Sequence, residues 1–351
     1  MKNTNFNQPL HTGFGEASGK VILMGEHSVV YNEPAIAMPF AGVQVTAEIL
    51  ESTDPLNVHC DFYRGLYTSM PEVLRSLKHT IYYTLEKIND YGVSEQFEKT
   101  FWIKALKNNQ LVQSEVPFTH SPHITIKINS TIPAERGMGS SAAVSVAVVR
   151  ALFDYYQVPL TPETLWEIVQ SSETIAHGNP SGVDTATTSG TCPIIFTKTK
   201  PITPFDIQMD ATLIVADTGK TGHTLQAVNL VKSLVNSKTK DSILAKKAIK
   251  HLGQLTLQAK DVLQTQETSL MGELMNQAHR ALQSLHVSNK DLDHLVETAR
   301  KAGALGAKLT GGGLGGCMIA LAQDADSAQK IETALKNQGA IRTWQHKLGD
   351  N

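Results

Sequence analysis

The chain is poor in cysteine, carries almost no charge excess and has no long apolar run. Its three cysteines, Cys60, Cys192 and Cys317, are odd in number and widely spaced, with no CxxC pair. That excludes a disulfide framework and gives no zinc-ligand spacing. Lys+Arg of 31 against Asp+Glu of 33 leaves a formal charge of −2, so there is no general electrostatic footprint for nucleic acid or an acidic membrane. No stretch approaches the roughly 20 apolar residues of a membrane span. The polar opening MKNTNFNQPLHTGFGEAS lacks the apolar core of a signal peptide. A cytoplasmic setting and a small-molecule partner are expected. Internal repeats and low-complexity tracts are also missing.

What is present is a sizeable apolar fraction. With 351 residues, 41% hydrophobic and 18% charged, the chain has the length for two domains and a core that needs no disulfides. Residues 20–24 (KVILM) read as a short buried strand and 43–50 (VQVTAEIL) as an alternating one. Residues 72–89 carry apolar side chains at helical spacing. In 123–132 (HITIKINSTI), Ile124, Ile126 and Ile128 share one face and Thr125, Lys127 and Asn129 the other. A glycine-containing turn leads to a buried helix over 140–156. Thr161 and Pro162 then open another helix to about 176, with Thr161 as N-cap. Residues 198–210, with two prolines and little periodicity, mark the expected boundary, giving domains 1–205 and 206–351.

In the second domain the pattern predicts a strand at 211–216, helices over 222–303 and strands at 306–310 and 317–322. A helix at 324–337 and a strand at 340–346 follow. That order suggests an α+β sandwich on an antiparallel sheet, and the whole chain reads as two α+β domains. Lys238, Lys240, Lys246, Lys247 and Lys250 read as a solvated helix face, and Met271 and Met275 as core filler. His59, His79 and His251 carry no ligand spacing.

Four segments stand out chemically. In 133–143 (PAERGMGSSAA), Gly137 and Gly139 sit at a strand-to-helix turn. Glycines let backbone approach an anion, and a helix N-terminus offers free N–H groups and the positive end of its dipole. Ser140 and Ser141 can cap that helix or give a hydroxyl to a phosphate-bound Mg²⁺, although an ordinary turn uses the same residues. The Gly19–Lys20 pair fails the Walker A pattern, because Phe14 and Val21 occupy its other positions. Gly137-x-Gly139-x-x-Ala142 and Gly311-x-Gly313-x-x-Gly316 fit the loose dinucleotide fingerprint, but neither is followed by the helix, strand and acid that it needs.

In 19–30 (GKVILMGEHSVV), Lys20 opens a buried strand, where an ammonium needs a partner, and Glu26 and His27 close it. The alternative is a lysine reaching solvent and a solvated turn. In 172–186 (SETIAHGNPSGVDTA), a helix end and a folded loop can bring Glu173 and Asp184 to one site; an Asp after a loop also serves as a cap. In 308–317 (KLTGGGLGGC), the glycines suit either a loop laid across a ligand or a flexible hairpin.

Taken in order, these segments resemble the motifs of the GHMP kinase superfamily (galacto-, homoserine, mevalonate and phosphomevalonate kinases), over most of the chain. Residues 19–30 resemble its first motif, 133–143 its phosphate-loop motif, 177–184 (HGNPSGVD) its aspartate motif and 308–317 its third glycine motif. Three places depart from it. Ala17–Ser18–Gly19 replaces Ala-Pro-Gly, Tyr31–Asn32–Glu33 stands where a His-Gly pair is common, and Glu135–Arg136 takes the place of an extra glycine. Within the superfamily the motifs most resemble those of the mevalonate kinases; Lys20, Ile22 and Leu23 differ from the galactokinase motif and His27 from the Gly-Glu-Tyr toward which phosphomevalonate kinases tend.

The resemblance implies a two-domain GHMP kinase fold: an N-terminal α+β domain and a C-terminal ferredoxin-like α/β sandwich, with a cleft between. It implies transfer of the γ-phosphoryl group of ATP to the C5 hydroxyl of mevalonate, with Mg²⁺. Gly137, Met138, Gly139, Ser140, Ser141 and Ala142 would contact the nucleotide, and Ser141 and Glu173 the metal. Asp184 and Lys20 would be catalytic, and Glu26 and His27 would contact the substrate. A homodimer is common among such relatives.

A carboxylate of ordinary pKa, about 3.9, is a weak base for an alcohol whose acidity is near that of water, about 15.7. In a loose transition state the proton moves late. Asp184 is therefore expected to orient the hydroxyl and finally accept its proton, while Lys20 stabilises the developing alkoxide. The rivals are a phosphomevalonate kinase, whose anionic substrate would want extra Arg or Lys, and a non-catalytic ligand-binding relative. The joint presence of Lys20, Ser141, Glu173 and Asp184 argues against the latter.

Overall fold

Residues 12–90, 122–178 and 180–349 are described by a computed structural model. Two units divide the chain. One gathers the described residues of Met1–Ala17, Val45–Ser130 and Val144–Ala176, the other those of Ser18–Gln44, Thr131–Ala143 and His177–Asn351. The units interleave along the sequence, whereas the expected boundary was one cut at 205/206. Strand β1 (Gly13–Met24) and strand β2 (Ala35–Glu51) each run from one unit into the other.

The first unit adds β3 (Asn57–Cys60), β4 (Tyr63–Leu66), helix α1 (Arg75–Asp90), β5 (Ile124–Ser130), α2 (Ser140–Tyr155, from Val144 onward) and α3 (Pro162–His177, as far as Ala176). Its strands lie in the order β4-β3-β5-β2. β5 is antiparallel to β2, with Ile128 opposite Ala47 and Ile126 opposite Ile49. Ile124, Ile126 and Ile128 are all buried, so the alternation read from the sequence sets the inward face. The start of β1 turns its smallest residues inward. A Cβ on Gly13 would fall 2.4 Å from the Ala151 carbonyl oxygen, and one on Gly15 2.2 Å from that of Ala147. The backbone of α2 thus lies directly on the strand. A hydroxyl cluster ties the three helices: Thr80 Oγ1 lies 2.9 Å from Ser145 Oγ and donates to Ser172 Oγ at 2.8 Å. Thr161 caps α3 as expected, accepting from the Thr164 N–H at 3.2 Å.

The second unit adds α4 (Val183–Thr188), β6 (Ile194–Phe196), β7 (Thr203–Pro204), β8 (Thr212–Asp217) and helices α5 (Thr224–Asn236), α6 (Lys240–Val262), α7 (Thr268–Ser284) and α8 (Lys290–Lys301). It ends with β9 (Gly306–Leu309), β10 (Cys317–Ala322), α9 (Ala325–Asn337) and β11 (Arg342–Lys347). The four-stranded sheet has the order β11-β8-β10-β9 and is antiparallel throughout, the ferredoxin-like arrangement. Both central strands are fully buried. Met271 and Met275 sit in the core on α7, and Lys246, Lys247 and Lys250 face solvent on α6. Residues 198–210 are not a bare linker, since β7 within them pairs with β6. No helix among the described residues is long and apolar enough to cross a membrane.

Candidate active site

The site assembles in the second unit from the end of β1, the turn before α2, the start of α4 and the loop after β9. Lys20 makes three contacts there. Its backbone N–H donates to the Met138 carbonyl at 3.0 Å, and Nζ donates to the Gly137 carbonyl at 2.9 Å. The same Nζ lies 2.9 Å from Asp184 Oδ1. The Lys20 side chain is 2% exposed and that of Asp184 36%, so the ammonium is closed off while the carboxylate keeps an open face. Asp184 occupies the first turn of α4, which begins after Gly182 at φ 95°. A carboxylate at a helix start sits favourably against the free N–H groups there.

The turn before α2 is shaped by two glycines whose conformation and surroundings both demand them. Gly139 has φ 74°, and a Cβ on it would meet Lys20 Cγ at 2.9 Å and Thr188 Cγ2 at 3.2 Å. Gly137 has φ 75°, and its Cβ would lie 3.3 Å from Gly311 Cα; in return a Cβ on Gly311 would lie 2.9 Å from the Gly137 oxygen. The two glycine loops therefore pack backbone on backbone. Met138 and Ala142 point into the core, and Ser140 and Ser141 are half-buried. The first closed turn of α2 is Ala143 N–H to Gly139 O at 2.9 Å, which leaves the N–H groups of residues 140–142 without an intrahelical acceptor.

Arg136, two residues from the turn's centre, is committed elsewhere. Its Nε lies 3.0 Å and 3.3 Å from the two carboxylate oxygens of Asp217, and Nη2 donates to the Gly219 carbonyl at 3.3 Å. It anchors the loop to the end of β8. Thr310 Oγ1 donates to the Ile22 carbonyl at 2.9 Å and accepts from the Ile22 N–H at 3.2 Å, joining the third glycine loop to β1.

Where β1 ends, Gly25 and His27 both have positive φ, 97° and 61°. His27 Nε2 is 2.9 Å from the Gly312 carbonyl oxygen. A carbonyl only accepts, so Nε2 carries the proton and Nδ1 is bare. Burial lowers the His27 pKa to about 4, so the ring is neutral at ordinary pH. Glu26 forms an ion pair with Lys308, and both side chains are wholly shut from solvent. Burial raises the Glu26 carboxyl and lowers the Lys308 ammonium, each opposed by the other's charge. Glu26 Oε2 has no hydrogen-bond partner among the described residues.

The structure thus brings together Lys20, Asp184, the 137–142 turn and His27, with Glu26 behind His27 and facing inward rather than toward an open surface. Glu173 lies on α3 in the first unit and is buried. The alternatives of a solvent-reaching Lys20 and a solvated Glu26–His27 turn are excluded by their burial. Sequence reasoning missed Lys308, Thr310 and the Arg136–Asp217 pair. Lys308 carried the same mark as Lys20, a lysine inside a buried strand.

Comparison with known proteins agrees with this geometry. The description "GHMP kinases N terminal domain" matches residues 101–191, and "GHMP kinases C terminal" matches 259–341. The mevalonate kinase of Pyrococcus horikoshii is 33% identical over 332 residues, 93% of this chain and 92% of that one. The crystal structure of mevalonate kinase from methicillin-resistant Staphylococcus aureus MRSA252 aligns with TM-score 0.66 and 31% identity, covering 97% of this chain and 99% of that one. L. major mevalonate kinase in complex with R-mevalonate aligns with TM-score 0.73 and 25% identity, covering 97% and 96%. Sequence, site geometry and fold converge: the chain belongs to the mevalonate kinase family of the GHMP kinases.

Proposed function

We propose that the protein transfers the γ-phosphoryl group of ATP to the C5 hydroxyl of (R)-mevalonate, forming 5-phosphomevalonate. The observation that carries this reading is the Lys20 ammonium, held at 2.9 Å from both Asp184 Oδ1 and the Gly137 carbonyl. One cation thereby couples the anion-binding turn to the carboxylate that would meet the acceptor alcohol. The acceptor itself is supported by the names of the relatives, including one solved in complex with R-mevalonate.

Phosphoryl transfer asks mainly for positioning and charge neutralisation. The N–H groups of Ser140, Ser141 and Ala142, with the backbone of Gly137, Met138 and Gly139, would hold the ATP phosphates. Asp184 would orient the hydroxyl through its open carboxylate face and accept the proton late. Lys20 would stabilise the charge that develops on the oxygen. His27, neutral, offers Nδ1 as an acceptor for a substrate hydroxyl.

Mg²⁺ is proposed with the Ser141 hydroxyl and the Glu173 carboxylate as protein ligands, and it would neutralise phosphate charge. Among the described residues no three His, Cys, Asp or Glu side chains cluster to hold a metal. An oxygen set this small suits a hard cation that takes its other ligands from water and phosphate. The division at 205/206 is proposed as the boundary between the family's two domains, since the matched segments 101–191 and 259–341 fall on either side of it.

An ADP-release assay with mevalonate, phosphomevalonate and galactose as acceptors tests the proposal. Turnover is expected on mevalonate alone. Turnover on phosphomevalonate instead would replace the acceptor, and ATP binding with no turnover on all three would leave a non-catalytic relative.

A further inference from the structure

Lys308, Thr310 and Gly312 form a ladder of alternate residues, and each holds a different point on the first motif. Lys308 pairs with Glu26, Thr310 Oγ1 both donates to and accepts from the backbone of Ile22, and the Gly312 carbonyl accepts from His27 Nε2. Lys308 lies in β9, Thr310 just past its end and Gly312 in the turn after Gly311 at φ 77°, so the strand end and the turn after it together fix the end of β1 and the turn beyond it. His27 needs such fixing. It is a non-glycine residue at φ 61°, a conformation that persists only where its surroundings over-determine it.

We propose that Lys308 and Glu26 are a positioning pair. Lys308 anchors the carboxylate next to His27, which keeps the ring bonded to Gly312 and its Nδ1 turned to the acceptor substrate. Both side chains have no exposed surface, which suits a buried strut rather than a ligand contact. A buried ion pair is weak evidence for stability, because two neutral groups often replace it without loss, whereas removing one partner strands the other's charge. A role in placing His27 accounts for keeping the charges here. The proposal rests on the reading of this site as the acceptor pocket of a kinase.

The test compares Lys308→Met, Glu26→Gln and the double variant in full-length protein. The steady-state constants for mevalonate and ATP are measured. So is the ¹⁵N signature of His27 without substrate, assigned by its loss in His27→Gln. Lys308→Met is expected to raise the mevalonate KM roughly tenfold or more while leaving the ATP KM within about threefold. The Nε2–H tautomer of His27 should give way to a mixture. The double variant should be no worse than the poorer single one, because two residues acting as a unit are not additive.

An unchanged His27 signature, equal rises in both KM values, or losses that multiply in the double variant would each overturn the pairing. Should Lys308→Met fail to fold, Glu26→Asp keeps both charges and withdraws the carboxylate by one methylene; it should show the same acceptor-specific KM rise. If the wild type acts on another alcohol, the KM split is read on that alcohol. The His27 signature needs no substrate, so failure of the mevalonate reading and failure of the pair remain separable.

Discussion

Lys20 Nζ stands 2.9 Å from Asp184 Oδ1, and the same residue holds the 137–138 backbone through its own N–H and ammonium. One residue therefore joins the phosphate turn to the carboxylate and, in the proposed reaction, would serve both halves of the transfer. Asp184→Asn removes the proposed proton acceptor and leaves the phosphate turn in place. Its kcat should fall roughly 10²–10⁴-fold, with the ATP KM within about threefold. Lys20→Met should lower kcat by roughly 10²–10³-fold and also raise the ATP KM. Rapid-quench single turnovers on both variants check the contrast; near-normal turnover by Asp184→Asn would refute its assignment.

Gly139→Ala combines a left-handed backbone with a Cβ set against the stem of Lys20. The backbone strain alone costs about 1–2 kcal/mol. Gly303 also has positive φ, 103°, but a Cβ there meets nothing within 4 Å. Both alanine variants are expected to be less stable in urea, but only Gly139→Ala should also lose turnover. Equal activities would show that the contact with Lys20 does not matter.

Arg136 belongs to the phosphate-loop motif, yet its guanidinium faces Asp217, which is buried at the end of β8. Arg136→Gln should act through the loop rather than on the chemistry. An ATP KM raised about three- to tenfold with kcat little changed is expected. A loss in kcat alone would mean that the guanidinium reaches the transferring phosphate.

Stability should depend on pH through His279. It is buried on α7, its Nε2 lies 3.1 Å from Asp293 Oδ1, and its Nδ1 accepts from the Leu309 N–H. Burial lowers its pKa to about 4 from an ordinary 6.5. The fold therefore prefers the neutral ring. Its contribution is complete above pH 6.5 and is lost as pH falls toward 4, because the unfolded chain takes up the proton first. Urea midpoints between pH 7.5 and 4 should fall less steeply for His279→Gln than for the wild type. Parallel slopes would remove His279 as a source.

Metal dependence is expected to be absolute, with EDTA abolishing turnover and Mg²⁺ restoring it. Glu173→Gln should raise the Mg²⁺ concentration for half-maximal rate several-fold with less effect on the mevalonate KM. An unchanged Mg²⁺ requirement would take Glu173 out of the metal's ligands.

Much of the fold was legible because side-chain pattern and burial coincide. The alternation of Ile124, Ile126 and Ile128, the cap at Thr161 and the methionines of α7 all read true. The start of β1 did not, because its inward residues are Gly13, Gly15 and Ala17, and small residues chosen for close helix approach carry no hydrophobic period. The hairpin of β3 and β4 is four residues a side and of mixed polarity, and α4 is six residues long. Both are too short for periodicity to register. At the site, Lys20 and Asp184 were readable from their motifs. The partner of Glu26 was not, since Lys308 lies 282 positions away and only folding brings the two together.

Gly137 and Gly311 meet with no side chain between them. Both positions already hold the smallest residue, so a gain of bulk at one cannot be offset by trimming the other. The two loops are consequently locked as a pair against drift, and no second-site change at the partner glycine can rescue either substitution. Whatever displaces one loop must carry the other with it, since peptide groups in direct contact have no flexible side chain to absorb the movement.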